Sequence, residues 1–288
     1  MGLFVDRLTL EEVRHWFAST AATDEGYLCA HFSRFVDTYR FAQAGLGGKP
    51  QVILDIGAHW LHHAFLYAND GHRLVCADNP ITASNPDVKK IASTIGASLV
   101  NCVRLDKGDG ICEIPDDSID LIIFSEIIEH LAFNPIRMWR EIHRCLRPGG
   151  RIIVTTPNSV NFRTVRLRLH QLIDEGFFGC PVDEIMSTGT LGHHWKEYSL
   201  PEILKYFSLL STDFEFSRHE FIGTTDQDKA EFEWYLKSEF QGIDGIISGI
   251  LRTMREQGHE LMGDTILTEF YLNKKTRGIA IQAPWEPE

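Results

Sequence analysis

Acidic residues and histidines occur between residues 126 and 194 at spacings that could support catalysis. Glu126, Glu129 and His130 stand at positions i, i+3 and i+4, and His194 follows farther along the chain. On a helix, residues at this spacing share one face. Such a face could hold a divalent metal, or His130 could act as a general base. A plainer interpretation treats the two glutamates as helix-start carboxylates, which the helix dipole favours.

A second group of polar residues follows the apolar run QVILDIG at 51–57. Gly57 permits a tight backbone turn, so Asp55 and Gly57 could approach a cofactor closely, although a plain strand-to-helix turn would also use them. A dinucleotide fingerprint beginning at Gly57 would require glycines at 59 and 62, where the chain has His59 and His62. The sequence therefore argues against a nicotinamide cofactor.

Asp78 ends the next apolar run, HRLVCAD at 72–78. A carboxylate at this place can accept two hydrogen bonds from ribose hydroxyls. An N-cap or a solvated turn is an equally good interpretation of this residue taken alone.

The elements that must position these residues follow an alternating pattern. Apolar runs predict strands at 51–57, 72–78, 97–106, 119–125 and 151–157, with helices between them, including one over 135–146 that Pro148-Gly149-Gly150 ends. Helices are also predicted within 9–44 and 226–257 and near 200, and strands near 214–222 and 265–274. This order predicts a three-layer α/β/α fold with a mostly parallel seven-stranded sheet whose last two strands form an antiparallel pair. Ligands of such sheets bind beyond the carboxyl ends of the strands.

Bulk properties restrict the classes of partner. The formal net charge of −12 makes nucleic acid an unlikely substrate, because an acidic surface repels phosphates. No apolar stretch approaches the length of a membrane span, and the N-terminus is not typical of a signal peptide. The six cysteines are scattered, as expected for reduced thiols in a cytoplasmic protein rather than a zinc framework.

The stretch from 114 to 157 contains the turn PDDS, then SEIIEH, LRPGG and TTPN, in that order. It resembles class I S-adenosylmethionine-dependent methyltransferases of the broad family that includes ubiquinone-biosynthesis and sugar O-methyltransferases. The resemblance extends over roughly 50–222 and implies a Rossmann-like sheet and S-adenosyl-L-methionine as cofactor. The cofactor-binding residues it implies are Asp55, Gly57 and Ala58 in the first motif, Asp78 and Asn79 at the ribose, Asp106 near the adenine, and Ser125 with Glu126 flanking the methionine portion.

The main departure from this family lies in the first motif. The family usually has D-x-G-x-G-x-G, whereas this chain has Asp55-Ile56-Gly57-Ala58-His59-Trp60-Leu61. We expect His59 and Leu61 to leave the cofactor site open, with the backbone of Gly57 and Ala58 as the close contact. A non-catalytic cofactor-binding module acting in a complex is the alternative that this departure raises.

A weaker resemblance links HHWKEY to the small-RNA 2′-O-methyltransferases, which bind one metal beside the terminal ribose. It implies a divalent metal held by Glu126, Glu129, His130 and His194 as an alternative to a metal-free site. The expected reaction is O-methylation of a small-molecule or sugar hydroxyl, with His130 as first choice of base, His194 as second, and Glu126 beside them. A metal-dependent RNA 2′-O-methyltransferase is the alternative enzyme.

The predicted organisation is a helical cap over 1–46 and a methyltransferase domain over 47–288, with a lid at about 159–198 and a helical insertion at about 226–257. His15, Trp16, Tyr27 and His31 are expected in the cap. In the lid, Arg163, Arg166 and Arg168 are interpreted as a solvated face rather than an anion grip, and Trp195 and Tyr198 as stacking or anchoring aromatics. The apolar stripe of the insertion is typical of core or homodimer contact.

Overall fold

The computed structural model describes residues 8–177, 179–189 and 192–281. Two helices precede the sheet, α1 at Leu10–Thr20 and α2 at Glu25–Gln43. A capping box begins α1, because the Thr9 side chain accepts from the Glu12 N–H and the Glu12 carboxylate accepts from the Thr9 N–H. Both helices pack their apolar residues, including Val13, Phe17 and Leu28, into the core beside the first strands.

The alternating part of the chain forms five parallel strands: β1 Val52–Ile56, β2 Arg73–Asp78, β3 Ser98–Asn101, β4 Ile119–Ser125 and β5 Leu146–Pro157. Between them lie α3 His62–Ala68, α4 Pro80–Ser84, α5 Pro86–Ile95 and α6 Ile136–Cys145. The segment after β5 contains α7 Phe162–His170, a π-helical turn at Gln171–Glu175, α8 Val182–Ser187 and α9 Leu200–Leu210. These strands end at one edge of the sheet, which is where the polar residues of the sequence motifs occur.

The sheet is completed by β6 Phe214–Ile222 and β7 Thr265–Leu272, with α10 Asp226–Lys237 and α11 Gly242–Glu256 between them. The strand order is β3-β2-β1-β4-β5-β7-β6, and β7 is antiparallel to both neighbours. The predicted seven-stranded, mostly parallel sheet with a final antiparallel pair is therefore confirmed.

Alternate residues of the central strands pack into two separate hydrophobic cores, one on each side of the sheet. Ile53, Leu121 and Ile123 face the layer that contains α1, α2 and α3. Leu54 and Ile122 face the opposite layer, which contains α6 and α9. These central strands are thus buried on both sides, as in a parallel sheet, and the three-layer arrangement follows.

A third, smaller core lies under α7, α10 and α11. It buries Phe162, Phe232, Tyr235, Ile247 and Leu251. Most of the predicted apolar stripe of 226–257 is therefore core, although Ile246 remains exposed.

Two predicted boundaries were wrong. The third strand ends at Asn101 rather than near 106, and residues 105–107 form a 3-10 turn instead. The helix before β5 ends at Cys145, and Pro148-Gly149-Gly150 lie inside the first part of β5 rather than between helix and strand. In the described ranges, no helix combines the length and hydropathy needed to cross a membrane.

Candidate active site

The turn after β1 keeps a left-handed backbone at the two positions where the resembling family has glycine. His59 has φ of 49° and Leu61 has φ of 61°, and Gly57 has φ of 79°. A Cβ on Gly57 would overlap the Ile127 side chain, so glycine is required there for space as well as for conformation. The Leu61 side chain is buried in the core. Its bulk therefore does not enter the space beside Gly57.

Asp78, at the end of β2, holds this turn in place. Its carboxylate accepts a hydrogen bond from the His59 N–H at 2.7 Å. It also accepts from the Asn79 N–H and the Asn79 side-chain amide, each at 2.7 Å. A carboxylate has about four acceptor positions, so Asp78 can accept further hydrogen bonds from a ligand at this edge.

A cavity opens beside Gly57 between the sheet edge and α2. Among its lining residues are Tyr27, Arg34, Asp55, Gly57, Ala58, His59, His62, His63 and Ser125. Asp55, Gly57, Ala58 and Ser125, which the resemblance assigned to the cofactor, therefore share one cavity. Arg34, His62 and His63 were not predicted as site residues; the only sequence signal was the density of histidines in HWLHHA.

Several buried polar atoms at this cavity have no hydrogen-bond partner among the residues that the structure describes. They include Asp55 Oδ2, Arg34 Nε and both ring nitrogens of His62 and His63. Burial raises the pKa of Asp55 to about 7, with a further contribution from the nearby charge of Asp78. Burial lowers the pKa of His62 and of His63 to about 3. Buried polar atoms are normally paired, so this group favours a polar ligand.

Asp106 lies away from this cavity. It follows the end of β3 by several residues, in the 3-10 turn Leu105–Lys107. Its carboxylate makes a two-point ion pair with Arg104, at 2.9 and 2.7 Å. A role at the adenine stays a prediction.

Residues 126–130 do not form the helix that the sequence predicted. Glu126 has φ of 54°, and only Ile128–His130 form a 3-10 turn. Glu126 pairs with Arg34 of α2 at 2.8 Å and accepts a hydrogen bond from the Thr155 hydroxyl. It thus ties α2 to the ends of β4 and β5.

Glu129, His130 and His194 come together in a group of their own. One potential ligand atom from each lies within 4.8 Å of the others, and the rings of His130 and His194 are 4.8 Å apart. Glu129 is buried. Its Oε2 accepts a hydrogen bond from Thr156, whereas its Oε1 has no partner within the described ranges. Glu126 is not part of this group of ligand atoms.

The two histidines differ in their hydrogen bonds and in their basicity. His130 Nδ1 lies 2.9 Å from the His193 carbonyl oxygen, which can only accept, so Nδ1 carries the proton and Nε2 has a free lone pair. Burial and the neighbouring His194 lower the pKa of His130. The hydrogen bond to Glu197 raises the pKa of His194. His130 is therefore the more readily neutral imidazole.

The remaining predicted residues lie in the segment after β5. Arg163 and Arg166 pair with Glu231 of α10, and Arg168 pairs with Glu197 at 2.5 Å. These arginines are thus engaged by carboxylates instead of forming a purely solvated face. The Tyr198 ring is half-buried. The Trp195 side chain is exposed, and the backbone N–H of Trp195 donates to the Glu129 carbonyl oxygen.

The four N-terminal residues expected in a cap have different surroundings. Tyr27 lines the cavity, and its ring contacts those of His31 and His59. Trp16 packs on Phe65, and His15 is exposed. Of the two N-terminal helices, α2 therefore contributes the side chains that line the cavity, which are Tyr27, Arg34 and Phe35.

Part of the chain matches a known protein family. Residues 54–154 match the family described as methyltransferase domain. A probable S-adenosylmethionine-dependent methyltransferase of Mycolicibacterium smegmatis is 41% identical over 49 residues, which cover 17% of this chain and 19% of the relative. The match thus spans under a fifth of that protein's length.

Solved structures share the fold at low sequence identity. A chain from the complex of the Haloferax volcanii Trm112 methyltransferase activator matches with a TM-score of 0.52 and 16% identity, over 91% of this chain and 98% of that one. A Pyrococcus horikoshii protein matches with a TM-score of 0.50 and 14% identity, over 87% and 92%. The solved structures show the fold alone, and together with the domain match over residues 54–154 they support a class I S-adenosylmethionine-dependent methyltransferase domain in this part of the chain.

Proposed function

We propose that this protein transfers the methyl group of S-adenosylmethionine to a hydroxyl of a small molecule or sugar, with His130 as general base. The observation that carries the proposal is the hydrogen bonding of the His130 ring. Its Nδ1 donates to a backbone carbonyl, which leaves the Nε2 lone pair free at the same sheet edge as the cavity beside Gly57.

The lining of the cavity beside Gly57 offers polar partners for the amino-acid end of the cofactor. An α-ammonium group needs acceptors and an α-carboxylate needs donors, and the cavity offers the unpartnered Asp55 Oδ2 and the unpartnered Arg34 Nε. Gly57 and Ala58 allow close backbone approach, and Ser125 lies on the β4 side. Asp78 and Asn79 would hold the ribose and Asp106 would lie toward the adenine. When bound, S-adenosylmethionine supplies an electrophilic methyl group.

His130 then has the chemical role of accepting the proton of the acceptor hydroxyl. A neutral imidazole is needed for this, and burial keeps His130 neutral by lowering its pKa. The hydrogen bond to the His193 carbonyl fixes the ring orientation, so that Nε2 receives the proton. His194 is the second candidate for the base. Glu126 acts as a positioning residue through its ion pair with Arg34.

A small acceptor is favoured over a nucleic acid by charge. The chain carries a formal net charge of −12, and phosphate backbones bind to surfaces that release counterions through lysine and arginine. The three arginines after β5 are already paired with carboxylates.

Calorimetry with S-adenosylhomocysteine, followed by transfer assays against panels of hydroxylated small molecules, tests this proposal. We expect saturable binding and methyl transfer to at least one hydroxylated acceptor. Absence of cofactor binding would overturn the proposal. Binding with no transfer to any hydroxyl panel would favour the non-catalytic module instead.

A second candidate function rests on Glu129, His130 and His194. Their ligand atoms lie close enough to share one ion, and an imidazole–carboxylate set suits Mn²⁺, Fe²⁺, Co²⁺ or Zn²⁺. The unpartnered Oε1 of buried Glu129 also fits this idea. A metal-dependent RNA 2′-O-methyltransferase would lose turnover in a chelator and recover it with Mn²⁺ or Mg²⁺, and its acceptor would be an RNA end. Chelator-resistant turnover would exclude it.

A further inference from the structure

A second group of potential metal ligands lies in the segment after β5, beside the candidate active site. Cys180 precedes α8, Glu184 lies on α8, and His193 follows it. One ligand atom from each lies within 4.8 Å of the others. Cys180 Sγ is 3.7 Å and Glu184 Oε1 is 3.8 Å from His193 Nδ1. None of these three residues serves the methyl transfer through its side chain.

These separations match the spacing of ligands around a tetrahedral ion. Zinc lies about 2.3 Å from a thiolate sulfur and about 2.0–2.2 Å from imidazole nitrogen or carboxylate oxygen, which places neighbouring ligand atoms roughly 3.4–3.6 Å apart. The observed 3.7 and 3.8 Å differ from this by a few tenths of an ångström. The 3.8 Å between Glu184 and His193 is too long for a hydrogen bond, whereas the 3.7 Å between Cys180 and His193 is within reach of a weak sulfur hydrogen bond.

We propose that Cys180, Glu184 and His193 form a binding site for Zn²⁺ or a similar thiophilic divalent cation. Thiolate, imidazole and carboxylate are the ligands that zinc takes in proteins, and three protein ligands leave a fourth position for water. Hard cations such as Mg²⁺ and Ca²⁺ prefer oxygen ligands, so the cysteine disfavours them.

The position of His193 gives this site a structural consequence. The His193 side chain belongs to the proposed metal site, while its carbonyl oxygen accepts the hydrogen bond from His130 Nδ1 at 2.9 Å. The next residue, His194, contributes to the group with Glu129 and His130. A cation held here fixes the chain between α8 and α9 at the point where it orients His130. The site itself does not depend on the proposed reaction.

Cobalt spectroscopy of the metal-free protein tests the proposal. Co²⁺ bound to a thiolate gives an intense charge-transfer absorption that nitrogen and oxygen ligands do not give. The group of Glu129, His130 and His194 contains no sulfur, so cobalt there cannot produce this signal. We expect the charge-transfer band to saturate at one equivalent of Co²⁺ and to disappear when Zn²⁺ is added.

Matched variants identify the ligands. Cys180→Ser and His193→Ala should abolish the band or weaken Zn²⁺ binding on the order of 100-fold or more, since even indirect partners of metal ligands contribute 10–100-fold. Cys112→Ser, which removes an exposed cysteine, and His130→Ala should keep the band. Thermal unfolding of each variant without metal shows whether it is folded. No charge-transfer band in the folded wild-type protein, or a band that survives in Cys180→Ser, would overturn the proposal.

Discussion

The hydrogen bond from His130 Nδ1 to the His193 carbonyl decides which nitrogen can act as a base. A carbonyl oxygen has no proton to give, so the free lone pair lies on Nε2. The other imidazole, His194, is turned toward Glu197, whose carboxylate stabilises its protonated form. The two rings contact each other, yet their partners give them opposite tendencies to hold a proton.

Removal of the His130 imidazole tests its role directly. If His130 takes the acceptor proton, His130→Ala should lower turnover by about 10²–10⁴-fold, the usual contribution of a general base. Affinity for S-adenosylhomocysteine should be nearly unchanged, because His130 does not line the cavity beside Gly57. Steady-state kinetics and calorimetry give the two readouts. Wild-type turnover in this variant would remove His130 from the mechanism.

The pH dependence of kcat/KM separates the two histidines. The pKa of His130 is lowered from 6.5 and that of His194 is raised from 6.5. A base must be unprotonated, so activity should rise with pH, with its midpoint below 6.5 if His130 is the base. A midpoint above 6.5 that moves to lower pH in Glu197→Gln would identify His194 instead.

Asp78 and Asp106 offer a comparison of two carboxylates that the family resemblance assigns to the cofactor. Asp78→Ala should weaken binding of S-adenosylhomocysteine by about 1.5–3 kcal/mol, the range of hydrogen bonds to charged groups. Asp106→Ala should have a smaller effect, because Asp106 is already engaged by Arg104 outside the cavity. Calorimetry on both variants would contradict this assignment if Asp78→Ala bound as tightly as the wild type.

At the scale of elements, the strands were the most predictable part of the molecule. β4 and β6 match their predicted bounds, because apolar runs between turn residues leave little choice of structure. The segment 126–130 was not predictable in this way. Its spacing is that of a helix, but the Trp195 N–H donates to the Glu129 carbonyl oxygen and Glu126 takes a left-handed conformation. Contacts with a distant part of the chain therefore override the local pattern.

In the candidate site, too, contacts between distant parts of the chain limited what the sequence could predict. The sequence predicted that His194 would lie beside Glu129 and His130, and the structure places them together. Arg34 was missed because nothing local marks a residue of α2 as facing the end of β4. Cys180 and His193 were missed because their spacing fits no standard metal-binding pattern, and only the path of the chain around α8 brings them together.

The left-handed backbone conformation in the turn between β1 and α3 can be tested by substitution. His59 has φ of 49°, where a residue with a Cβ costs about 1–2 kcal/mol more than glycine, partly offset by the greater freedom of glycine in the unfolded chain. His59→Gly should therefore be about 1 kcal/mol more stable than His59→Ala, since both lose the ring contact with Tyr27. Chemical denaturation measures the difference.

The neighbouring Ala58 is the matched control, because it is not among the residues with positive φ. Ala58→Gly should destabilise the fold by about 0.5–1 kcal/mol or more. If glycine at 59 were no better than alanine, the backbone there would not be left-handed.

At the scale of the whole molecule, two buried histidines and a buried aspartate lie between the N-terminal helices and the sheet. His62 and His63 are nearly inaccessible, and so is Asp55. His63 stacks on Phe35 of α2, and His62 meets Phe17 of α1 edge-on. The packing of α1 and α2 on the sheet therefore requires neutral imidazoles, and this links the stability of the cofactor-free protein to pH.

The direction in which stability changes with pH depends on whether the folded or the unfolded state binds more protons. The pKa of His62 and of His63 is about 3 in the folded protein and 6.5 as the ordinary value. As pH falls from 6.5 toward 3, these histidines become protonated in the unfolded chain but stay neutral in the folded protein. Each histidine therefore lowers the free energy of unfolding by about 1.4 kcal/mol per pH unit. Asp55 acts in the opposite direction, because its pKa is about 7 when folded against 3.8 ordinarily. Between pH 3.8 and pH 6.5, the three groups together should lower the free energy of unfolding by about 1.4 kcal/mol for each pH unit of acidification.

Two single variants should change this slope in opposite directions. His63→Phe removes one imidazole and should bring the contribution of this cluster to about zero, while Asp55→Asn removes the compensating carboxyl and should double it to about 2.8 kcal/mol per pH unit. Urea denaturation of the three proteins at several pH values between about 4 and about 6.5 measures the slopes, and their differences cancel the contribution of groups shared by all three proteins. Equal slopes in the wild type and His63→Phe would mean that the His63 imidazole can bind a proton in the folded protein, and the requirement for neutral imidazoles under α2 would then be wrong.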